Sequence, residues 1–261
     1  LISNSISTKQ QLVNGDIIVK NVLSALDDKQ QRKELLLTRL EQCIPLHPLT
    51  ALLLGPIAKR RFSQNERSTF SFLNSREQFS FQLFLQQTND NKARYDLSNL
   101  WDYLEANMEH AILSSPDGHG WATAADAIRK AIAQDFSTQC IELLKAIALI
   151  TLFGKAANLT ATEKLLLTAT KIVDAKKLQE SLQQLKNASC IVYRKHLSAW
   201  VVFEGSDLDI AALVEEKVEQ LRNSNEAIER IDFSAQVIAK GHYHDVGTLR
   251  WATQTVALQL S

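Results

Sequence analysis

"STQCIELLKAIALITLFG", residues 137–154, is the stretch on which the fold turns. Apolar residues recur in it at three- and four-residue spacing, Ser137 offers an N-cap side chain, and Gly154 stands where a helix can stop. It predicts one helix. The next stretch, "TATEKLLLTATKI" (160–172), places Thr160 and Glu163 at the spacing of a capping box. "DAKKLQESLQQLKNA" (174–188) adds a third helix, with Asp174 at its start and Leu178, Leu182 and Leu185 on one face. "CIVYRKH" (190–196) and "AWVVFEG" (199–205) are β-prone runs separated by Leu197 and Ser198, the pattern of a hairpin. Three helices and a hairpin in that order predict a winged helix-turn-helix.

Upstream of this block, strands are scarce. The whole chain of 261 residues has only eight Gly and four Pro, and its first half carries long stretches of helical apolar spacing. Helices are expected near 16–26, 29–43, 48–61, 64–74, 77–88, 97–113 and 120–133. Pro48 suits a first helical position, where a missing N–H costs nothing. "TNDNKARYD" (88–96) reads as a polar loop and "SSPDGHG" (114–120) as a turn. Downstream, "SDLDIAALVEEKVEQLRNS" (206–224) predicts an amphipathic helix capped by Ser206 or Asp207. The closing residues mix β-prone side chains with two glycines. The expected architecture is therefore mainly α: a multi-helix bundle over 1–134, a winged-helix domain over 135–225, and over 226–261 a short α/β segment that begins a further domain or forms a C-terminal extension.

Lys and Arg total 29, as do Asp and Glu, so no whole-molecule field draws the chain to nucleic acid or membrane. Attraction of that kind has to come from local patches. No apolar run approaches the roughly 20 residues that span a bilayer, and Glu142 and Lys145 interrupt the longest. Cys43, Cys140 and Cys190 lie far apart without metal-ligand spacing, which predicts small buried thiols in a reducing cytoplasm. The start "LISNSIST" lacks an initiator Met and the regions of a signal peptide, and reads as the interior of a longer protein.

The familiar catalytic signatures are missing from the sequence. It holds no Gly-x-x-x-x-Gly-Lys loop to cradle phosphates, no Gly-x-Ser-x-Gly elbow, no His-Glu-x-x-His helix and no Cys-x-x-Cys pair. In "HYHD" (242–245) a strand would put His242 and His244 on one face, but a third ligand is missing. "HPLTALLLGPIAKRRFSQNERSTFSFL" (47–73) is the richer stretch. Leu49, Leu52, Leu53 and Pro56 can pack inward, while Lys59, Arg60 and Arg61 gather at the helix end, where cations suit the dipole and solvent. Asn65, Glu66 and Arg67 follow at the edge of another apolar run. An arginine there can present its planar fork to a phosphate, or form a surface ion pair with Glu66.

"PLHPLTALLLGPIAKRRFSQNERSTFSFL" resembles a motif of large bacterial P-loop ATPases of the AAA+/STAND type, many encoded in phage-defence and DNA-modification islands. There, a Pro-Leu-His-Pro stretch and a Gln-Asn-Glu-Arg-Ser stretch follow the nucleotide-binding core and belong to the helical lid side. "LLKAIALITLFG", "IVYRKH" with "AWVVFEGSDLDI", and "IAKGHYHDVGTLRW" are similar to the same family in the same order, so the resemblance spans most of residues 41 to 251. Phe203 stands where the family carries Trp, which preserves an aromatic plug.

The resemblance implies that His47 and Pro48 lie near the base or ribose of a nucleotide, and that Arg67 faces phosphate as a sensor or finger arginine supported by Asn65 and Glu66. ATP and Mg would be held mainly by a P-loop domain of the same protein, outside this chain. It further implies a homo-oligomer, an effector protein as partner, and no membrane. The winged helix would either pack on the nucleotide domain or bind duplex DNA. For DNA, Lys176, Lys177 and Gln183 on the 174–188 helix, with Arg194 and Lys195 at the wing, are the candidate contacts. Asp174 and Glu180 dilute that charge, which favours packing. The expected function is a nucleotide-state-sensing lid and winged-helix module of a bacterial anti-phage ATPase, inactive alone. The alternatives are a DNA-binding regulator and a structural helical adaptor.

Overall fold

The computed structural model describes residues 15–26, 30–60, 72–88, 90, 93–172, 174–205, 218, 235–238, 246–248 and 250–254. The chain divides into two compact units, residues 1–205 and 206–261. The first is mainly helical and ends in a small antiparallel sheet. Its helices are α1 (Gly15–Ala25), α2 (Gln30–Glu41), α3 (Pro48–Ala58), α4 (Phe81–Gln87), α5 (Leu97–Leu113), α6 (Gly118–Ala133), α7 (Thr138–Phe153), α8 (Glu163–Ala169) and α9 (Ala175–Asn187). A 3-10 turn, Gly154–Ala157, extends α7. Strands β1 (Ile191–Arg194) and β2 (Ala199–Val202) pair antiparallel, with Ile191 opposite Val202 and Arg194 opposite Ala199. In the second unit, β3 (Ala235–Ile238) pairs antiparallel with β4 (Trp251–Gln254).

α7 is the hub of the first unit. Cys140, Leu143, Leu144, Ala146, Ile147, Ala148, Leu149, Ile150 and Phe153 are all buried, so the helix is covered nearly all round. It packs on α5, α6, α8, α9 and β2. Each fully buried leucine contributes roughly 1.5–3 kcal/mol of apolar burial. Trp101 of α5 and Trp121 of α6 stack at 4.1 Å with planes 9° apart beneath this surface. A single cluster of buried side chains runs from Val19 to Val202, so residues on both sides of position 134 share one core.

The helix ends show which local signals operate. Ser137 caps α7 by accepting from the Cys140 N–H, and Asp174 caps α9 by accepting from the Lys176 N–H. Asp96 and Asn99 form a reciprocal capping box on α5. α8 departs from the expected start. Thr162, not Thr160, caps it, and the Ala161 carbonyl accepts from the Trp200 N–H at 3.0 Å in place of a helical donor. α4 begins at Phe81, later than the expected 77, because Phe79 sits at φ 59 and its carbonyl accepts from the Tyr95 hydroxyl. Of the expected 64–74 helix, only residues 72–74 lie within the described set, and they are helical. The expected 206–224 helix lies outside the described residues except for Val218.

Candidate functional site

α3 sits between the two ends of the "HPLTALLLGPIAKRR" stretch, and both of its ends are anchored. At the first, His47 is the N-cap, with extended backbone at φ −64 and ψ 139, and Pro48 occupies the first helical position. His47 Nδ1 accepts from the Leu49 N–H at 3.3 Å. Its backbone N–H donates to the Tyr95 carbonyl, and the Tyr95 N–H donates to the Pro45 carbonyl, each 3.0 Å. These bonds set Leu46 parallel to Tyr95, so α3 and α5 leave side by side.

His47 and Pro48 are both buried. Burial holds the His47 imidazole at a pKa of about 4, against upward pulls from Asp96 and a backbone hydrogen bond at Thr168 and a further downward push from Arg94. The ring is neutral at pH 7, with Nδ1 capping α3. Nearby, Lys171 lies 3.5 Å from Asp96 and 3.2 Å from Glu142, tying the end of α8 to α5 and α7.

The other end of α3 corrects a sequence expectation. Lys59 is exposed, as a solvated helix end would be, and Arg61 lies outside the described residues. Arg60 is different. Its Nη1 lies 3.2 Å from Asp117 Oδ1, its Nη2 donates to the Leu152 carbonyl at 3.3 Å, and its guanidinium carbon lies 5.7 Å from the centre of the Phe153 ring. The planar fork therefore joins α3 to the start of α6 and the end of α7. The sequence signal was only three consecutive cations, with nothing to set Arg60 apart from Lys59.

Asn65, Glu66 and Arg67 lie outside the described residues, so of the expected nucleotide contacts only His47 and Pro48 are placed. The expected nucleic-acid residues fall on the last third of the first unit. Lys176 and Lys177 are exposed on the first turn of α9, and Gln183, also exposed, donates to Asn187 Oδ1 at 2.9 Å. Glu180 is exposed on the same helix, whose opposite face buries Leu178, Leu182 and Leu185. Arg194 ends β1, and Lys195 is exposed in the turn to β2.

All three cysteines are free and buried, and burial pushes the Cys43 and Cys190 thiols up, away from reactive thiolate. Among the described residues, no group of three or more His, Cys, Asp or Glu side chains is placed to hold a metal ion; His242 and His244 lie outside them. No helix among the described residues is long and apolar enough to cross a membrane. No protein-family model, curated protein or solved structure matches the chain.

Proposed function

We propose that this chain is the nucleotide-state-sensing helical lid and winged-helix module of a bacterial anti-phage ATPase. In this reading a P-loop domain of the same protein binds ATP and Mg, and the protein acts as a homo-oligomer that signals to an effector. Arg67 stabilises charge on the transferring phosphoryl group, with Asn65 and Glu66 as its supports. A well-placed arginine of that kind is worth on the order of a thousandfold in rate. His47 and Pro48 serve by fixing the start of α3.

We infer further that α7, α8, α9, β1 and β2 are a winged helix. The element order supports this, as does the Trp200 N–H bond to Ala161, which lays the segment between the first two helices against β2. The observation that carries the coupling role is that α3 is tied at its start to the strand-like segment before α5 and at its end, through Arg60, to α7. The residues that lead on to Arg67 thus leave from a helix locked to the winged-helix block.

The test is Arg67→Ala in the protein that carries the P-loop domain. ATP turnover should be lost while nucleotide binding and melting temperature hold; unchanged turnover removes the reading. A second reading, duplex-DNA binding through α9 and the wing, is favoured by the exposure of Lys176, Lys177 and Gln183. It requires affinity that falls steeply with salt, and no binding of this chain at low salt ends it.

A further inference from the structure

We propose that Arg60 is a positioning residue that couples the exit of α3 to the wing. The inference rests on the proposed function for its purpose, but its geometry stands without it. Arg60 is the last described residue before the stretch that carries Arg67, and its three contacts are with residues far along the chain, at the start of α6 and the end of α7.

Asp117 shows that the contact is specific. It occupies the N-cap of α6, where a carboxylate ordinarily accepts from its own helix, yet it makes no side-chain cap bond there. Its carboxylate is given to Arg60 instead. Leu152, the second partner, lies in the last turn of α7, where carbonyls lack helical donors. Phe153, under the guanidinium, is fully buried.

From these contacts a continuous path leads to the wing. Phe153 is followed directly by the 3-10 turn Gly154–Ala157, whose Gly154 carbonyl accepts from the Leu159 N–H at 3.0 Å. Gly154 is packed so tightly that an added Cβ would lie 2.7 Å from the Leu159 carbonyl oxygen. Two residues on, the Ala161 carbonyl accepts from Trp200 of β2. Trp200 faces Tyr193 across the hairpin, ring centres 5.2 Å apart. A displacement of Arg60 therefore acts on the end of α7, and the rigid turn passes it to the strand that forms one side of the wing.

The test has two arms. In this chain, amide exchange is measured at Trp200 and, as a reference for global opening, at Leu104 in the middle of α5. Arg60→Ala and Asp117→Asn should speed exchange at Trp200 about tenfold beyond any change at Leu104. Arg60→Lys, which keeps the charge without the fork, should fall between, and the swap Arg60→Asp with Asp117→Arg should recover part of the loss. Equal acceleration at both amides, or none at Trp200, overturns the coupling; Asp117→Asn carries the measurement if Arg60→Ala does not fold. In the ATPase that contains this module, Arg60→Ala should lower kcat roughly tenfold at unchanged KM. If Arg67→Ala abolishes turnover and Arg60→Ala leaves kcat intact, the positioning role fails. If the exchange coupling holds but Arg67→Ala leaves turnover intact, the ATPase reading fails and the coupling stands.

Discussion

Arg60 and Asp117 face each other at 3.2 Å, one at the end of α3 and the other at the start of α6, and each forgoes the role its sequence position suggests. The arginine is not a solvated helix end, and the aspartate does not cap its own helix. A charge-assisted hydrogen bond of this kind contributes about 1.5–3 kcal/mol when buried. Arg60 is 35% exposed at its side chain, so the lower part of that range applies. Arg60→Ala should lower the urea-unfolding free energy by roughly 1–2 kcal/mol, and the Arg60/Asp117 double-mutant cycle should show that their effects are not additive. Additive losses would mean that the pair does not interact.

His47 sets an acid limit on stability. Its pKa is ordinarily near 6.5 and is about 4 in the fold, so between those values the unfolded chain binds a proton that the folded one refuses. Its contribution is fully present above about pH 6.5, falls as the pH drops towards 4, and amounts to roughly 3 kcal/mol across that window. Protonation would turn Nδ1 into a donor facing the Leu49 N–H, which removes the cap. His47→Asn keeps a capping oxygen but does not titrate. Unfolding midpoints at pH 7 and pH 5 should therefore differ less for His47→Asn than for the natural chain; an equal difference would show that other groups set the slope.

Two glycines should respond oppositely to the same methyl group. At Gly120 an added Cβ lies 2.8 Å from Leu152 Cδ2, the end of a flexible, half-buried side chain that can turn aside. The helical gain of about 0.5–1 kcal/mol from Gly to Ala then offsets the crowding, and Gly120→Ala should be near neutral. At Gly154 the obstacle is the Leu159 backbone oxygen, which cannot turn aside. Gly154→Ala should cost roughly 2 kcal/mol or more, read as a lowered thermal midpoint.

α9 is held by its leucines, not by its charges. Leu178→Ala should cost about 2–5 kcal/mol, because it opens a cavity at a residue that is 1% exposed. Lys177→Ala, on the exposed first turn, should stay within about 0.5 kcal/mol. Circular dichroism melts of the two variants check both figures, and a large loss from Lys177→Ala would mean that α9 packs through its polar face.

Much of the helical content was legible because its causes are local. Ser137, Asp174 and the periodic leucines of α9 each act within a few residues, and each does in the fold what its spacing predicts. Thr160 misled because the competing partner of its neighbour Ala161 is Trp200, a strand residue remote in sequence that no local pattern links to it. At the candidate site, Pro48 could be assigned to a helix start by type, but the neutral state of the His47 imidazole depends on its burial in the folded core, which no local pattern gives.

By itself the sequence determined that the first unit is mainly helical, where most of its helices run and which faces they bury, since periodicity and capping are properties of neighbouring residues. Only the tertiary structure decided that Arg60 rather than Lys59 turns inward, that Asp117 serves a distant arginine over its own helix, and that one core crosses position 134. The physical reason is the same in each case. These outcomes depend on which long-range partner excludes solvent at a given atom, and that is settled only when α3, α6 and α7 meet.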